Sequence, residues 1–364
     1  MTASRAIPVT VLTGFLGAGK TTLLNRLLKH PDLADTAVLI NEFGEIGLDH
    51  LLVERLDGDT VLLNAGCLCC TVRGDLLRTL EGLAARIEAG QPCRRIVIET
   101  TGLADPAPIL QTLMADPFIA RRFRLDGVVT LVDAANGAAT LDAQPEAVRQ
   151  AAVADRLVLT KTDIAGAEAT GALVARLGAL NPGAPLRCAT QGDVEPAFLL
   201  HAGPYDPGAR PAEVQSWIDA DAWARHVHDH DHDHGPGHGH GHGHRHHHDP
   251  NRHDARIQAF CLTFDAPLPL AGLATWLEMM VATRGESLLR VKGLLNLQGE
   301  DRPVVLHAVQ HVFHPTVQLA GWPDGDDRRS RIVFILRDLP RAAVEDSLRA
   351  FLAAAENRQP VAAA

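Results

Sequence analysis

Gly14-Phe15-Leu16-Gly17-Ala18-Gly19-Lys20-Thr21 fits the pattern G-x-x-x-x-G-K-[ST]. Such a loop is suited to holding phosphate. Gly14, Gly17 and Gly19 let backbone N–H groups turn inward with no Cβ in the way, and a helix starting at Lys20 adds its positive N-terminal end. Lys20 supplies a point charge for the β- and γ-phosphates. Thr21 supplies a hydroxyl for the Mg²⁺ that bridges them, and Ala18 and Thr22 fall in the same phosphate-binding set. A second candidate, Glu99, ends the apolar run Arg95-Ile96-Val97-Ile98-Glu99 just before Thr100-Thr101-Gly102. P-loop proteins hold their metal with an acidic residue at the tip of a buried strand, usually Asp. Glu99 could steer Mg²⁺ through water or orient the attacking water, and Gly102 could donate its N–H to the γ-phosphate.

A third group chooses the base. Arg156-Leu157-Val158-Leu159 empties into Thr160-Lys161-Thr162-Asp163. A carboxylate at Asp163 can accept from both N1–H and the 2-amino group of guanine, a donor pair that adenine lacks, while the Lys161 stem can cover the base face. GTP is expected over ATP. Thr160 stands where the commonest GTPase pattern has Asn, a change that could loosen base selection without abolishing it.

Metal chemistry is concentrated in Gly66-Cys67-Leu68-Cys69-Cys70-Thr71. Cys67 and Cys69, with Cys70 or an oxygen ligand as third, could hold a soft or borderline ion such as Zn²⁺. Fewer than four protein ligands would leave a position open for exchange. A thiol–disulfide switch and an inert cysteine cluster are the competing readings. Glu42, in Asn41-Glu42-Phe43-Gly44-Glu45, is placed to face Mg²⁺. Glu45 and Asp75 are possible oxygen ligands near the cysteines, with a solvated acidic loop an equally good account of both.

Twelve histidines lie between 226 and 248, among them His228, His230, His232, His234, His238, His240, His242 and His244 at alternate positions. Neutral imidazole binds Zn²⁺, Ni²⁺, Cu²⁺ and Co²⁺, and several rings on a mobile chain can surround one ion. Ordering such a segment costs about 1–2 kcal/mol per residue, so weaker and less selective binding than at the cysteines is expected.

These residues need a scaffold that brings loop tips together. From Ile7 to about Cys188, apolar runs at 7–13, 36–40, 60–63, 95–100, 128–132 and 156–160 alternate with helical patterns at 21–29, 75–88, 107–114, 146–154 and 164–180. That is the βαβ rhythm of a P-loop NTPase with a doubly wound, mainly parallel sheet. Three parts are expected: a nucleotide domain over 1–200, a linker with the histidine tract over 201–255, and a smaller α+β domain over 256–364. In that last part strands are expected at 258–264, 288–297, 304–312 and 331–336, and helices at 270–282 and 341–355. His307, His311 and His314 read there as ordinary surface or core residues.

The composition narrows the partners. The chain has 364 residues with 34 Lys and Arg against 44 Asp and Glu, a formal charge of −10. Nucleic acid and anionic membrane are poor partners for that balance. No run of 18 apolar residues and no secretory leader is visible, and the cysteines cluster instead of spreading as a disulfide framework, so a cytoplasmic, reducing setting is expected. A monomer and a homo-oligomer are both compatible with these features.

Taken together, G-F-L-G-A-G-K-T-T at 14–22, N-E-F-G-E at 41–45, G-C-L-C-C at 66–70, E-T-T-G-L-A-D-P at 99–106 and T-K-T-D at 160–163 resemble the CobW-type GTPases. These are zinc-regulated metallochaperones of the P-loop class that also contains the nickel-insertion GTPases for urease and hydrogenase. Leu289-Arg290-Val291-Lys292-Gly293 and Ser330-Arg331-Ile332-Val333-Phe334 are similar to the family's C-terminal domain. The resemblance implies GTP hydrolysis coupled to metal transfer to a client metalloprotein, with Cys67, Cys69 and Cys70 binding zinc. Two rivals stand beside it: cobalt delivery for cobalamin synthesis or another metalloenzyme, and a histidine-rich metal buffer whose GTP site is vestigial.

Overall fold

The computed structural model describes residues 6–41, 61–65, 72–200 and 256–357, apart from 315 and 324. Glu42, Glu45, Cys67, Cys69, Cys70 and the whole histidine tract lie outside the described residues.

Seven strands form the first sheet: β1 (Ile7–Gly14), β2 (Thr36–Asn41), β3 (Val61–Ala65), β4 (Arg95–Glu99), β5 (Phe123–Asp133), β6 (Arg156–Thr160) and β7 (Leu186–Ala189). Their order is β3-β2-β4-β1-β5-β6-β7 and every pairing is parallel. Strands covered on both faces must be apolar nearly throughout, which is why Val9, Val11, Leu39, Ile96, Ile98 and Val129 are all fully buried. On one face lie α2 (Val72–Glu88), α3 (Ala107–Ala115) and α4 (Pro117–Arg122), with Leu80, Leu83, Leu110 and Ile119 inward. On the other, α1 (Lys20–Leu27) inserts Leu23, Leu24 and Leu27. Further round the sheet, α5 (Gly137–Ala143), α6 (Pro145–Ala152) and α7 (Ala167–Leu180) bury Leu141, Val148 and Leu177 against Leu157 and Leu159. The short α8 (Pro196–Leu199) closes the run. The connection leaving β1 runs to β2 on one side and that leaving its neighbour β4 runs to β5 on the other, so the crevice beyond the carboxyl ends of this pair is where a ligand is expected.

Two expectations change here. β5 begins at Phe123, five residues earlier than the apolar run suggests, because Asp126 is buried in the sheet between Arg95 (3.6 Å) and Arg124 (3.2 Å). Its neutralised charge hides a strand. The short elements β7, α4, α5 and α8 have too few residues for a period to register in the sequence.

The second unit is an antiparallel sheet, β8 (Ile257–Phe264), β9 (Leu288–Leu295), β10 (Val304–Val309), β11 (Val312–Phe313), β12 (Val317–Gln318) and β13 (Ser330–Arg337), with α9 (Leu270–Arg284) and α10 (Arg341–Glu356). The stretch 304–312 is not one strand. It turns back at Gln310, at φ 49°, so that β10 and β11 form a hairpin. Strand alternation then divides the sheet. Phe260, Leu262, Leu306, Ile332 and Phe334 face Trp276 of α9 and Leu348 of α10. The opposite face turns to the first unit, where Leu289, Val333 and Ile335 pack on Ala152 of α6.

A buried ionic cluster sits in that contact. Arg290 Nη2 and Lys292 Nζ donate to Asp155 Oδ1 at 2.5 and 2.6 Å, and the Val128 N–H donates to Asp155 Oδ2 at 2.9 Å. Burial alone would raise the Asp155 carboxyl, but Arg290 and Lys292 hold it well below the usual carboxylate range. Two cations share one carboxylate. Burial and the neighbouring Arg290 accordingly push the Lys292 ammonium down to about 7, against the pull of Asp155. His307, opposite Lys292 in the ladder, is no surface residue: burial pushes its imidazole down to about 3, so it stays neutral.

Candidate nucleotide site

The phosphate loop leaves the end of β1. Gly14 runs at φ 142° against β5, and a Cβ there would collide with the Leu131 carbonyl. Gly19, at φ 90°, is the residue before α1 and caps it with no side chain. The first turn of α1 also lacks an acidic residue, so the positive end of the helix faces no carboxylate of its own first turn and suits an anion. Buried Lys20 folds back over the loop and donates from Nζ to the carbonyls of Gly14 (2.8 Å) and Phe15 (3.3 Å). Those carbonyls are the partners it would exchange for phosphate oxygens.

Glu99 closes the adjacent strand. Register places it beside Leu12 of β1, and it is 2% exposed. Thr21 Oγ1 donates to Glu99 Oε1 at 3.2 Å, bringing together two candidate oxygen ligands that the sequence keeps 78 residues apart. Just beyond, Gly102 packs on the phosphate loop itself: a Cβ there would lie 2.5 Å from the Leu16 nitrogen. Only glycine fits that approach. Thr22 points outward and is exposed, while buried Ala18 contributes its carbonyl.

That carbonyl binds the base strand. Thr160 Oγ1 donates to Ala18 O at 2.8 Å, and Val132 O lies 3.2 Å from the same hydroxyl. Lys161 follows at φ 57° and its Nζ pairs with Asp133 Oδ2 at 2.8 Å. Burial would raise Asp133, yet the hydrogen bonds from Lys161, Asn136 and the Ala135 N–H keep it below its ordinary range. Asp163 is exposed at the open end. Between the phosphate loop and α5–α6 lies a cavity of about 230 Å³, lined by Phe15, Ala18, Val132, Asn136, Leu141 and Gln150 among others. Asp75 falls in the first turn of α2; its side chain lies outside the described residues.

The CobW/HypB/UreG nucleotide-binding domain matches residues 8–187, and the C-terminal domain of cobalamin synthesis protein CobW matches residues 257–352. This chain belongs to the CobW/HypB/UreG family. Among its relatives, the zinc chaperone YjiA of Escherichia coli strain K12 is 32% identical over 353 residues, covering 95% of this chain and 98% of that one. The zinc chaperone CobW of Pseudomonas aeruginosa is 31% identical over 385 residues, covering 95% and 92%. The crystal structure of the Zn(II)-bound YjiA GTPase from E. coli superposes with a TM-score of 0.65 at 28% identity, over 96% of this chain and 99% of that one. A P-loop GTPase fold with a CobW C-terminal domain therefore accounts for nearly the whole chain.

Two residues of this CobW-family site escape sequence reading. Asp133, at the end of β5, holds Lys161; an acidic residue closing an apolar run was the available signal. Gln150 is fully buried on α6, where a polar residue interrupts the apolar stripe Ala147, Val148 and Ala151. No helix among the described residues is long and apolar enough to cross a membrane.

Proposed function

We propose that this protein hydrolyses GTP and uses the nucleotide cycle to hand a zinc-like ion to a client metalloprotein. The observation that carries the reading is the Thr21–Glu99 contact at the mouth of the phosphate loop. A hydroxyl and a carboxylate, with neither thiolate nor imidazole beside them among the described residues, form a donor set suited to Mg²⁺ rather than to a softer ion. Bound there with GTP, Mg²⁺ would offset charge developing on the phosphate oxygens.

The chain's own groups do the rest. Lys20 moves from the Gly14 and Phe15 carbonyls to the β- and γ-phosphates. Gly102, close against Leu16, aims its N–H at the γ-phosphate, and Glu99 orients the attacking water. Asp163 accepts from the guanine edge while the Lys161 stem, held by Asp133, covers the base. The metal cargo is assigned to Cys67, Cys69 and Cys70, with Glu45 or Asp75 as candidate oxygen ligands, and the histidine tract of 201–255 gathers ions at lower affinity. Zinc is favoured over cobalt or nickel by the cysteines' softness and by the zinc chaperones among the relatives. A reducing, cytoplasmic setting keeps the thiols available.

Steady-state GTP hydrolysis, with and without Zn²⁺, tests the reading in wild type and in Lys20→Ala. Hydrolysis lost with Lys20 and altered by zinc supports it. Zinc binding that ignores nucleotide, in a protein that does not hydrolyse GTP, would leave a metal buffer instead.

A further inference from the structure

Helix α6 lies between the loop at 100–106 and the sheet of the second unit, and it grips both. Gln150 Nε2 donates to the carbonyls of Gly102 (3.1 Å) and Ala104 (3.0 Å). Because two carbonyls can only be met by the NH₂ group, a flipped amide would set oxygen against oxygen, which fixes the side chain's sense. The C-terminal end of α6 is tied down as well: Asn181 Nδ2 donates to the carbonyls of Ala151, Ala152 and Ala154, at 2.9, 3.1 and 2.9 Å. There Ala152 packs on Leu289, Val333 and Ile335, and Asp155 takes Arg290 and Lys292.

The far end of the same loop has a second tether. Asp105 Oδ2 lies 3.5 Å from Arg149 Nη1 of α6 and accepts from Gln310 Nε2, also at 3.5 Å, in the β10–β11 turn. Within this clamp Gln150 Oε1 and Thr101 Oγ1 are buried with no hydrogen-bond partner among the described residues.

We propose that Gln150 is a positioning residue for GTP hydrolysis, holding Gly102 where its N–H meets the γ-phosphate, and that the second unit acts on the same loop, directly by way of Gln310 on Asp105 and through the end of α6 by way of Asp155. The inference rests on the GTPase reading above. It gives the C-terminal domain a role in turnover. A client that displaces the β10–β11 turn would change the catalytic rate without touching the nucleotide.

The test uses the full chain as wild type, Gln150→Met, Gln310→Ala and the double variant. GTP turnover, GDP affinity and hydrogen exchange at amides 101–104 are measured on each. Gln150→Met keeps the volume and removes both donors. Its kcat should fall at least tenfold, with GDP affinity within twofold, since GDP has no γ-phosphate, and amides 101–104 should exchange faster. Gln310→Ala should lower kcat two- to fivefold alone and add nothing to Gln150→Met, the non-additivity expected of residues acting on one element. An unchanged kcat in Gln150→Met, or a GDP affinity that falls as far as kcat, would overturn the positioning role. Effects that simply multiply would overturn the shared action on the loop at 100–106. Should Gln150→Met fail to melt cooperatively, the half-buried Gln310 decides, and an unchanged kcat in Gln310→Ala overturns the proposal. Failure of the GTPase reading itself is distinguishable, because wild type would then be inactive towards GTP before any variant is compared.

Discussion

The Thr160 hydroxyl donates to the Ala18 carbonyl at 2.8 Å, joining the strand that carries the candidate base-recognition residues to the loop that carries the candidate phosphate-binding ones. The two residues lie 142 apart in the chain. Thr160→Val keeps the shape, removes the donor and strands a buried carbonyl, at a cost of about 1–3 kcal/mol. GTP and GDP affinity should both fall by about tenfold, equivalent to about 1.4 kcal/mol. Thr160→Ser should restore most of it, as read by titration with a fluorescent GDP.

Lys20 gives a different signature. Its buried amine is the loop's cationic donor to the phosphates, and removing a donor aimed at developing charge typically costs about 10²–10³ in kcat. Lys20→Ala should lose hydrolysis on that scale while its melting temperature stays close to wild type. In cells, metal resistance should fall with it; resistance that survives the loss of hydrolysis would favour the buffer reading.

Asp163 is exposed at the base end, so its substitution has little to unfold. Asp163→Ala should weaken GTP by at least tenfold and leave ATP binding nearly unchanged, because only guanine presents the donor pair this carboxylate accepts. Competition between the two nucleotides for one fluorescent probe measures both numbers together.

Stability should depend on pH through the buried cluster between the two units. His307 is held down to about 3 by burial, whereas an unfolded histidine titrates near ~6.5. Between those values the unfolded chain takes up a proton that the folded chain refuses. The stabilisation is complete above about pH 6.5 and is lost progressively as pH falls towards 3, at roughly 1.4 kcal/mol per pH unit. Asp155, held low by Arg290 and Lys292, loses its contribution in the same direction at more acidic pH. Thermal melts from pH 7 to pH 4 should therefore fall, and His307→Gln should remove about 3 kcal/mol of that loss over the range.

The phosphate loop, Glu99 and Thr160–Asp163 were legible in the sequence because each is a local pattern at the end of an apolar run, and the parallel sheet then brings the ends together. Edges and joints were not. The Asp126 charge concealed the start of β5, and a turn at Gln310 divided a run that reads as one strand. Nothing in the sequence says what Arg290, Lys292 and His307 face, since period-two polarity is the same whether the polar face meets water or another unit. They meet Asp155 instead. Gln150 reads as a blemish on an apolar helix face, and the two carbonyls it binds lie more than 40 residues away.

The central claim is that nucleotide state and metal affinity are coupled, and linkage requires the coupling to run both ways. A competitive-chelator titration of Zn²⁺ on protein lacking 226–248, without nucleotide, with Mg²⁺·GDP and with a non-hydrolysable Mg²⁺·GTP analogue, measures it directly. The account predicts at least a tenfold difference in zinc affinity between nucleotide states, about 1.4 kcal/mol of coupling. Equal affinity in all three states, or zinc binding that disappears with the histidine tract, would contradict it.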